Sequence, residues 1–416
     1  MITHFSFKNY KTFAGRVDVP LTANGLIKRL SCNAVTVGGR PILKTIGVYG
    51  PNNTGKTCLI LALANLKNLM LNQPHENLTN SFMDDDVIEY DVEYVIDGCN
   101  YRYKVAYDCK KNAYLEEELA TISIAPSNSH VKTYTPLICR RKDGVDIPGL
   151  DVGKGSSLFS LFSSDYPIIS TLKFDEESPL GKAKKHYQEF ANSILLLRFD
   201  QPLDLNKTLQ LMQQDPRAQR FISEFIRNCD LHITDFGLSE DVVSDVDLSG
   251  MLPQGVVPET LKFYSVHGKF RVPSVLFDSV GTQKLIALSG YLYEAIKFGK
   301  ILLVDEIDSS LHHILTRAII ALFNNVLNKK AQLIFSTQDL LLMDLKRLFR
   351  KDQVFLTTVD PSTHQSIVIH LSDISSRDEN GFRGDEDIVD YYLHGQFGAV
   401  PRPELFELLE EAVNEG

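Results

Sequence analysis

The sequence predicts an α/β fold built round a phosphate-binding loop, with an antiparallel β-subdomain and a mostly helical inserted lobe. Three observations predict it. A glycine-bounded loop, Gly50 to Thr57, lies between an apolar run and a helical pattern. A fully apolar strand, Ile301 to Val304, runs straight into the acidic pair Asp305-Glu306. Between them, from Val87 to Ile124, apolar residues recur with period two.

Residues 1–20 read as two short strands with a turn, because Phe5, Phe7, Val17 and Val19 alternate with polar neighbours. Residues 42–49 form an apolar run that stops at Gly50, and helical spacing follows from Lys56 to about Leu71. Val92, Tyr94 and Ile96 lead into Asp97-Gly98, a hairpin signal, and Tyr101, Tyr103, Val105 and Tyr107 alternate on the return strand. Residues 151–230 read as mostly helical and polar, with a serine-rich opening from Gly155 to Ser164 and no sustained heptads. Parallel α/β character returns near residue 275. Leu311, Ile314, Leu315, Ala318, Ile319, Leu322, Phe323 and Val326 keep the i, i+3, i+4, i+7 spacing of an amphipathic helix, and Leu333 to Phe335 is the next apolar strand. That is one β-α-β unit, whose crossover should be right-handed. The chain thus divides into a first lobe over 1–150, a helical insertion over 151–235 and a second lobe over 236–416.

Composition narrows the function classes. The 416 residues are 44% hydrophobic and 23% charged, an ordinary globular balance. No run of roughly eighteen apolar residues occurs, and Met1-Ile2-Thr3-His4-Phe5 shows no basic region ahead of an apolar stretch, so a cytoplasmic chain without a membrane span is expected. Cys32, Cys58, Cys99, Cys109, Cys139 and Cys229 are scattered without a C-x-x-C pair, and read as reduced thiols. A net charge of -10 argues against non-specific coating of nucleic acid. Three basic clusters stand out: Arg140-Arg141-Lys142, Lys182 to His186 and Lys346 to Lys351. They read first as solvated faces, with a local groove for nucleic acid as the secondary reading.

The chemistry begins at Gly50-Pro51-Asn52-Asn53-Thr54-Gly55-Lys56-Thr57, which satisfies G-x-x-x-x-G-K-[ST] in full. Such glycines let the backbone wrap closely round phosphates, while amide groups and the following helix start face the negative charge. Lys56 would reach the β- and γ-phosphates of ATP, and the Thr57 hydroxyl would ligate Mg2+. Gly50, Asn52, Asn53, Thr54, Gly55 and Cys58 complete the expected nucleotide-binding set. The strand Ile301–Val304 puts Asp305 at its carboxyl end, where it can hold the Mg2+ shell, and Glu306 next to it as base or water-orienting group. A third element, Asp278-Ser279-Val280-Gly281-Thr282-Gln283-Lys284, lies just before the helix leading into the acidic strand. Small residues at a helix N-terminus make a second anion-facing surface, unless Ser279 is simply the helix cap.

Together these elements resemble the heads of ABC-type ATPases, specifically the RecF/SMC-like group, and imply a P-loop NTPase fold. The Ser279-Val280-Gly281-Thr282-Gln283 form looks like the signature of ATP-binding proteins from prokaryotic abortive-infection and anti-phage systems, relatives of the OLD and RloA-like ATPases. The opening Phe5 to Phe13 is similar to their first strand, and Ser309 to His312 occupy their D-loop position. The tail from Tyr391 to Pro401 is similar to a closing motif of the group. The resemblance covers residues 1–110 and 260–405 and fades in the middle. It implies that Ser279 and Gly281 of one subunit close on the γ-phosphate held by another, so that ATP joins a head-to-head homodimer. The group usually carries a histidine after the strand that follows the acidic pair; here Gln338 stands there, in Phe335-Ser336-Thr337-Gln338-Asp339. Glutamine can donate a hydrogen bond but cannot become cationic, which predicts slow turnover, unless Gln338 is merely a loop residue.

Two other features are set aside. His312-His313 does not read as a metal site, because adjacent helical residues point in different directions. Asp385 and Asp387 resemble the D-x-D of a TOPRIM nuclease, but the stretch after Gln338 is too short for such a domain and also holds the closing motif. The implied function is therefore an ATP-hydrolysing sensor that restrains or licenses a separate effector, a nuclease or toxin encoded nearby, in anti-phage defence. Its rivals are a RecF-like repair ATPase stimulated by DNA ends and an ATP-locked scaffold with little turnover.

Overall fold

A computed structural model of the chain describes every residue except 26–27, 126–127, 142–143, 149, 154–161, 163, 230–231, 240–257, 375–387, 399 and 401–416. Lys142, Asp385, Asp387, most of the serine-rich opening, and Ala399 and Pro401 of the closing motif lie outside the described residues.

The chain opens with β1 (Ile2–Lys8), β2 (Val17–Pro20), β3 (Ala34–Val37), β4 (Arg40–Leu43), β5 (Thr45–Tyr49) and α1 (Lys56–Met70). A long antiparallel run follows: β6 (Val87–Ile96), β7 (Cys99–Asp108), β8 (Ala113–Ala125), β9 (Asn128–Arg141), β10 (Gly144–Ile147) and β11 (Leu150–Gly153). Next come α2 (Ile168–Thr171), α3 (Pro179–Ser193), β12 (Ile194–Arg198), α4 (Asn206–Gln214) and α5 (Pro216–Cys229). The remainder holds β13 (Asp235–Leu238), β14 (Phe263–His267), β15 (Phe270–Pro273), α6 (Ser274–Phe277), α7 (Val280–Phe298), β16 (Ile301–Asp305) and α8 (His313–Asn324). It ends with β17 (Gln332–Thr337), β18 (Val354–Val359), β19 (Ser366–His370) and α9 (Ile388–Leu393).

Two sheets dominate. The central one runs β12-β16-β17-β5-β18-β19 and is parallel except for β19. Its strands carry apolar side chains on both faces, as strands covered on both sides must, and Ile301 to Val304 are fully buried. β16, α8 and β17 form the expected β-α-β unit. The second sheet is antiparallel, in the order β11-β10-β9-β8-β7-β6-β1-β2. Its inner face is rich in buried tyrosines, among them Tyr90, Tyr94, Tyr103 and Tyr114, and packs with α1 and α3 against one face of the central sheet. α4, α5, α7 and α8 cover the other face in a second core. This is an α/β P-loop architecture, with the carboxyl ends of the parallel strands gathered at one edge.

The structure departs from the sequence reading in two places. The apolar run 42–49 is two strands in different sheets, broken at Lys44, whose ammonium donates to the Asn325 carbonyl at 2.8 Å. The segment 151–235, expected to be a helical insertion, does hold α2 to α5, but β12 within it pairs in parallel with β16, from Ile194↔Ile301 to Arg198↔Asp305. Ile194 to Leu197 is a short apolar run of the kind that forms a buried parallel strand; its polar surroundings hid it.

One buried acid gives the fold a pH dependence. Glu117 on β8 accepts from the Ile168 amide at 2.9 Å, fixing the start of α2, and from Tyr103 Oη at 3.2 Å, with Arg140 Nε 3.7 Å away. Burial pushes its carboxyl up to about 7, against the pull of those donors and of Arg140. A carboxyl whose folded value is raised favours the folded state most below its unfolded value and loses that contribution as pH rises through the folded one. Glu117's own contribution to stability should therefore decline from about pH 4.5 to about pH 7. The stability of Glu117→Gln relative to the wild type, read by thermal unfolding, should rise across that window.

Candidate nucleotide-binding site

β5 brings the chain to Gly50 at the carboxyl edge of the central sheet, and α1 departs from Gly55. Both glycines have positive φ, and both are crowded. A Cβ on Gly50 would lie 2.4 Å from Thr357 Oγ1 and 2.5 Å from the Thr357 carbonyl; one on Gly55 would lie 2.7 Å from the Phe13 ring. Gly50→Ala should cost more than about 1 kcal/mol of stability and remove nucleotide binding together, checked by unfolding and by nucleotide titration. Between them Asn53 takes a left-handed conformation, which asparagine tolerates well. Thr54 Oγ1 ties the loop together, meeting the Pro51 carbonyl at 2.9 Å and Thr357 Oγ1 at 2.7 Å.

The start of α1 is electrostatically incomplete. No side chain caps it and no acid occupies its first turn, whereas Ser178 caps α3 and Ser279 caps α7. Its first-turn amides carry the positive end of a fifteen-residue helix, which an anion would satisfy. Buried Lys56 folds its ammonium over the loop, donating to the Gly50 carbonyl at 2.8 Å and the Pro51 carbonyl at 2.7 Å. Burial holds its pKa below the usual lysine value, while Glu306, Asp305 and Asp308 pull the other way. A desolvated cation over an uncapped helix start fits a polyphosphate.

The acidic side faces it. Thr57 Oγ1 donates to Asp305 Oδ1 at 3.1 Å, and Ser336 Oγ donates to the same oxygen at 2.5 Å. Ser336 Oγ in turn accepts from the Glu306 amide at 2.8 Å. Thr57 and Asp305 present two hard oxygens side by side, the donor set that Mg2+ takes up together with phosphate and water. Glu306 sits at φ 56, a strained conformation for a non-glycine residue, costing on the order of 1–2 kcal/mol. Burial, with Asp305, Asp200 and Asp308 nearby, raises its carboxyl above the usual range, against the pull of Lys56.

The expected signature lies at the start of α7. The Ser279 hydroxyl accepts from the Thr282 amide at 3.2 Å, so Ser279 does cap the helix, and it is exposed. Gly281 abuts the following turn: a Cβ there would lie 2.8 Å from the Ser310 carbonyl. Lys284 crosses the same junction, donating to Ser309 Oγ at 2.8 Å and to the Ser309 carbonyl at 3.2 Å. The start of α7 and the turn at Ser309 and Ser310 are thus packed together. Gln338 follows β17 and is exposed; its backbone N–H donates to Asp308 Oδ2 at 3.3 Å. Asn52 is exposed on the loop, and Cys58 is half-buried at the start of α1.

Several site residues escaped the sequence reading. Ser336 fixes Asp305 and Glu306 together, and its one visible signal was a serine at the end of an apolar strand. Thr357 reaches Gly50 because β18 pairs with β5, Leu356 opposite Tyr49. Arg198 and Asp200 pair at 2.6 Å beside Asp305, placed there by the β12–β16 register.

One member of each basic cluster is paired within the chain. Arg140 sits buried by Glu117, Lys182 pairs with Glu177 at 3.2 Å, and Arg350 is buried against Asp352 at 2.8 Å. His312 caps α8, accepting from the Ile314 amide at 3.3 Å. No helix of the described residues is long and apolar enough to cross a membrane.

Residues 46–344 match the family model described as "AAA domain, putative AbiEii toxin, Type IV TA system". No curated protein matches the chain in sequence. Among solved structures, the SMC head domain from Thermotoga maritima aligns with a TM-score of 0.41 at 12% identity, covering 89% of this chain and 98% of that one. An Smc head bound to the C-terminal winged-helix domain of ScpA aligns at 0.42 and 13%, with coverage of 89% and 98%. The Smc head with an extended coiled coil, bound to a ScpA domain derived from Pyrococcus furiosus, aligns at 0.39 and 12%, with coverage of 89% and 96%.

Proposed function

We propose, from the premise that this chain belongs to the AbiEii-type AAA family, that it hydrolyses ATP as a dimeric sensor controlling a separate effector in anti-phage defence. The observation that carries the ATPase part is the convergence of Lys56, Thr57, Asp305, Ser336 and Glu306 beneath an uncapped helix start. Mg2+ and ATP, when bound, supply the metal's charge and the bond to be broken. Lys56 and the α1 amides hold the phosphates, with Gly50, Gly55 and Asn53 shaping the loop. Thr57 and Asp305 hold the metal, and Ser336 keeps the Asp305 carboxylate aimed. Glu306 orients the attacking water and accepts its proton; Gln338 donates a neutral hydrogen bond, consistent with slow turnover.

Ser279 and Gly281 act on the nucleotide of a second copy. Supporting this, Phe277 and Val280 beside them are 68% and 59% exposed, a pair of apolar side chains that a second copy would cover. The match to a family described by a toxin–antitoxin system supports a role beside a second component, which this reading takes to be the effector. Phage challenge of cells carrying this gene with and without its neighbours tests it. Protection should require a neighbouring gene and an intact Lys56; full protection by this chain alone would end the regulator reading.

A further inference from the structure

We propose that α3 and the β6–β7 hairpin form a binding site for a divalent transition-metal ion of the Zn2+ kind, with His186, Glu189 and Asp97 as ligands. His186 and Glu189 are three residues apart on α3, so they share a face of the helix. Asp97 stands at the hairpin tip, held in a left-handed conformation at φ 47. The ligand atoms of the three side chains lie within 4.8 Å of one another, and His186 Nε2 is 3.9 Å from Asp97 Oδ2.

The imidazole is already aimed. Its Nδ1 lies 3.0 Å from Tyr101 Oη. With the Nδ1 proton donated there, Nε2 keeps its lone pair free on the side of Asp97, the arrangement that orients metal-bound histidines. A ring stack fixes the rest. Phe190 of α3 lies on Tyr94 at 3.9 Å and 6°, Tyr94 stacks on Tyr101 at 5.6 Å, and Tyr101 meets the His186 ring edge-on at 5.6 Å. Helix and hairpin are therefore packed together independently of any ion, which holds the three ligand side chains near one another. Lys185, 3.9 Å from Glu189, forms an exposed pair with it and holds that carboxylate weakly.

One imidazole with two carboxylates favours Zn2+ and its neighbours over Mg2+ or Ca2+, which take all-oxygen sets. A cavity of about 640 Å3 opens beside Asp97 and Glu189 and leaves room for water in the remaining positions. That cavity is also lined by Ser193 and Lys300, which immediately precede β12 and β16. The site thus sits at the amino ends of the parallel strands, away from the nucleotide loop at their carboxyl ends. Because α3 runs directly into β12, a bound ion would clamp the strand that carries Arg198 beside Asp305.

Zn2+ alone is titrated calorimetrically into the full chain, with thermal unfolding in parallel. The wild type should bind one equivalent and melt higher with it. His186→Ala should lose that equivalent, and Asp97→Asn and Glu189→Gln should each weaken it about 10-fold or more, while Asp305→Asn keeps it. Asparagine tolerates the left-handed turn, so Asp97→Asn reads the site even if His186→Ala folds poorly. Zinc affinity unchanged in Asp97→Asn and His186→Ala, or no equivalent bound by the wild type, overturns the proposal.

Discussion

Glu306→Gln should lower ATP turnover by roughly 10²–10³-fold while leaving ATP affinity within a few-fold, and should hold the protein as an ATP-bound species of twice the mass. The substitution is nearly isosteric, and the backbone that places Glu306 is held by the hydrogen bond its N–H donates to Ser336 Oγ rather than by its carboxylate. Lys56, Thr57 and Asp305 are untouched, so binding should survive. What disappears is the group able to take a proton from water at the γ-phosphate. Lys56→Ala is the necessary contrast. Removing the ammonium from over the loop should weaken nucleotide binding and assembly together, because that cation is what an anion meets first. Turnover by mass-calibrated protein, with size measured with and without ATP, separates the two. If Glu306→Gln turns over ATP like the wild type, the acidic pair is not the catalytic one and the proposed roles fall. If it stays monomeric with ATP bound, the coupling of nucleotide to assembly falls instead.

The parts of this site that could be read from sequence are those whose geometry is local. Gly50 to Thr57 is one continuous loop, so its spacing encodes its shape. Asp305 and Glu306 end a single apolar strand, so their position at the strand's carboxyl edge follows from the pattern. Ser336, Thr357, Arg198 and Asp200 were invisible for the opposite reason. Each reaches the site through strand register between distant segments: β17 beside β16, β18 beside β5 and β12 beside β16. Nothing in a single sequence fixes such a register. The same limit explains β12, four apolar residues in polar surroundings that join the sheet only because β16 offers a partner. Glu117 belongs here too. Alternation on β8 marks it merely as a polar residue, and its raised carboxyl arises from burial beneath α2, a consequence of tertiary packing.

The sharpest test of the second copy is complementation. Ser279→Arg should block the signature without touching its own loop, since among the described residues the exposed Ser279 side chain bonds to Thr282 of its own helix start. Lys56→Ala should spoil the loop without touching its own signature. Each variant alone should turn over ATP at a few per cent of the wild-type rate or less, comparable to other losses of a group that acts in the transition state. Mixed in equal amounts, half of the dimers combine one of each, and every mixed dimer contains one complete site: the Ser279→Arg loop facing the Lys56→Ala signature. Because Lys56→Ala also weakens assembly, turnover should then recover to at most about a quarter of the wild-type rate, the statistical ceiling for an isologous pair with independent sites. A site completed within one chain predicts no recovery at any ratio, because neither variant alone owns both halves. The lodging of Gly281 against Ser310, and of Lys284 on Ser309, adds a control. Lys284→Ala should loosen the D-loop in both partners alike and depress the recovered rate, whereas it cannot create recovery where the two halves never meet.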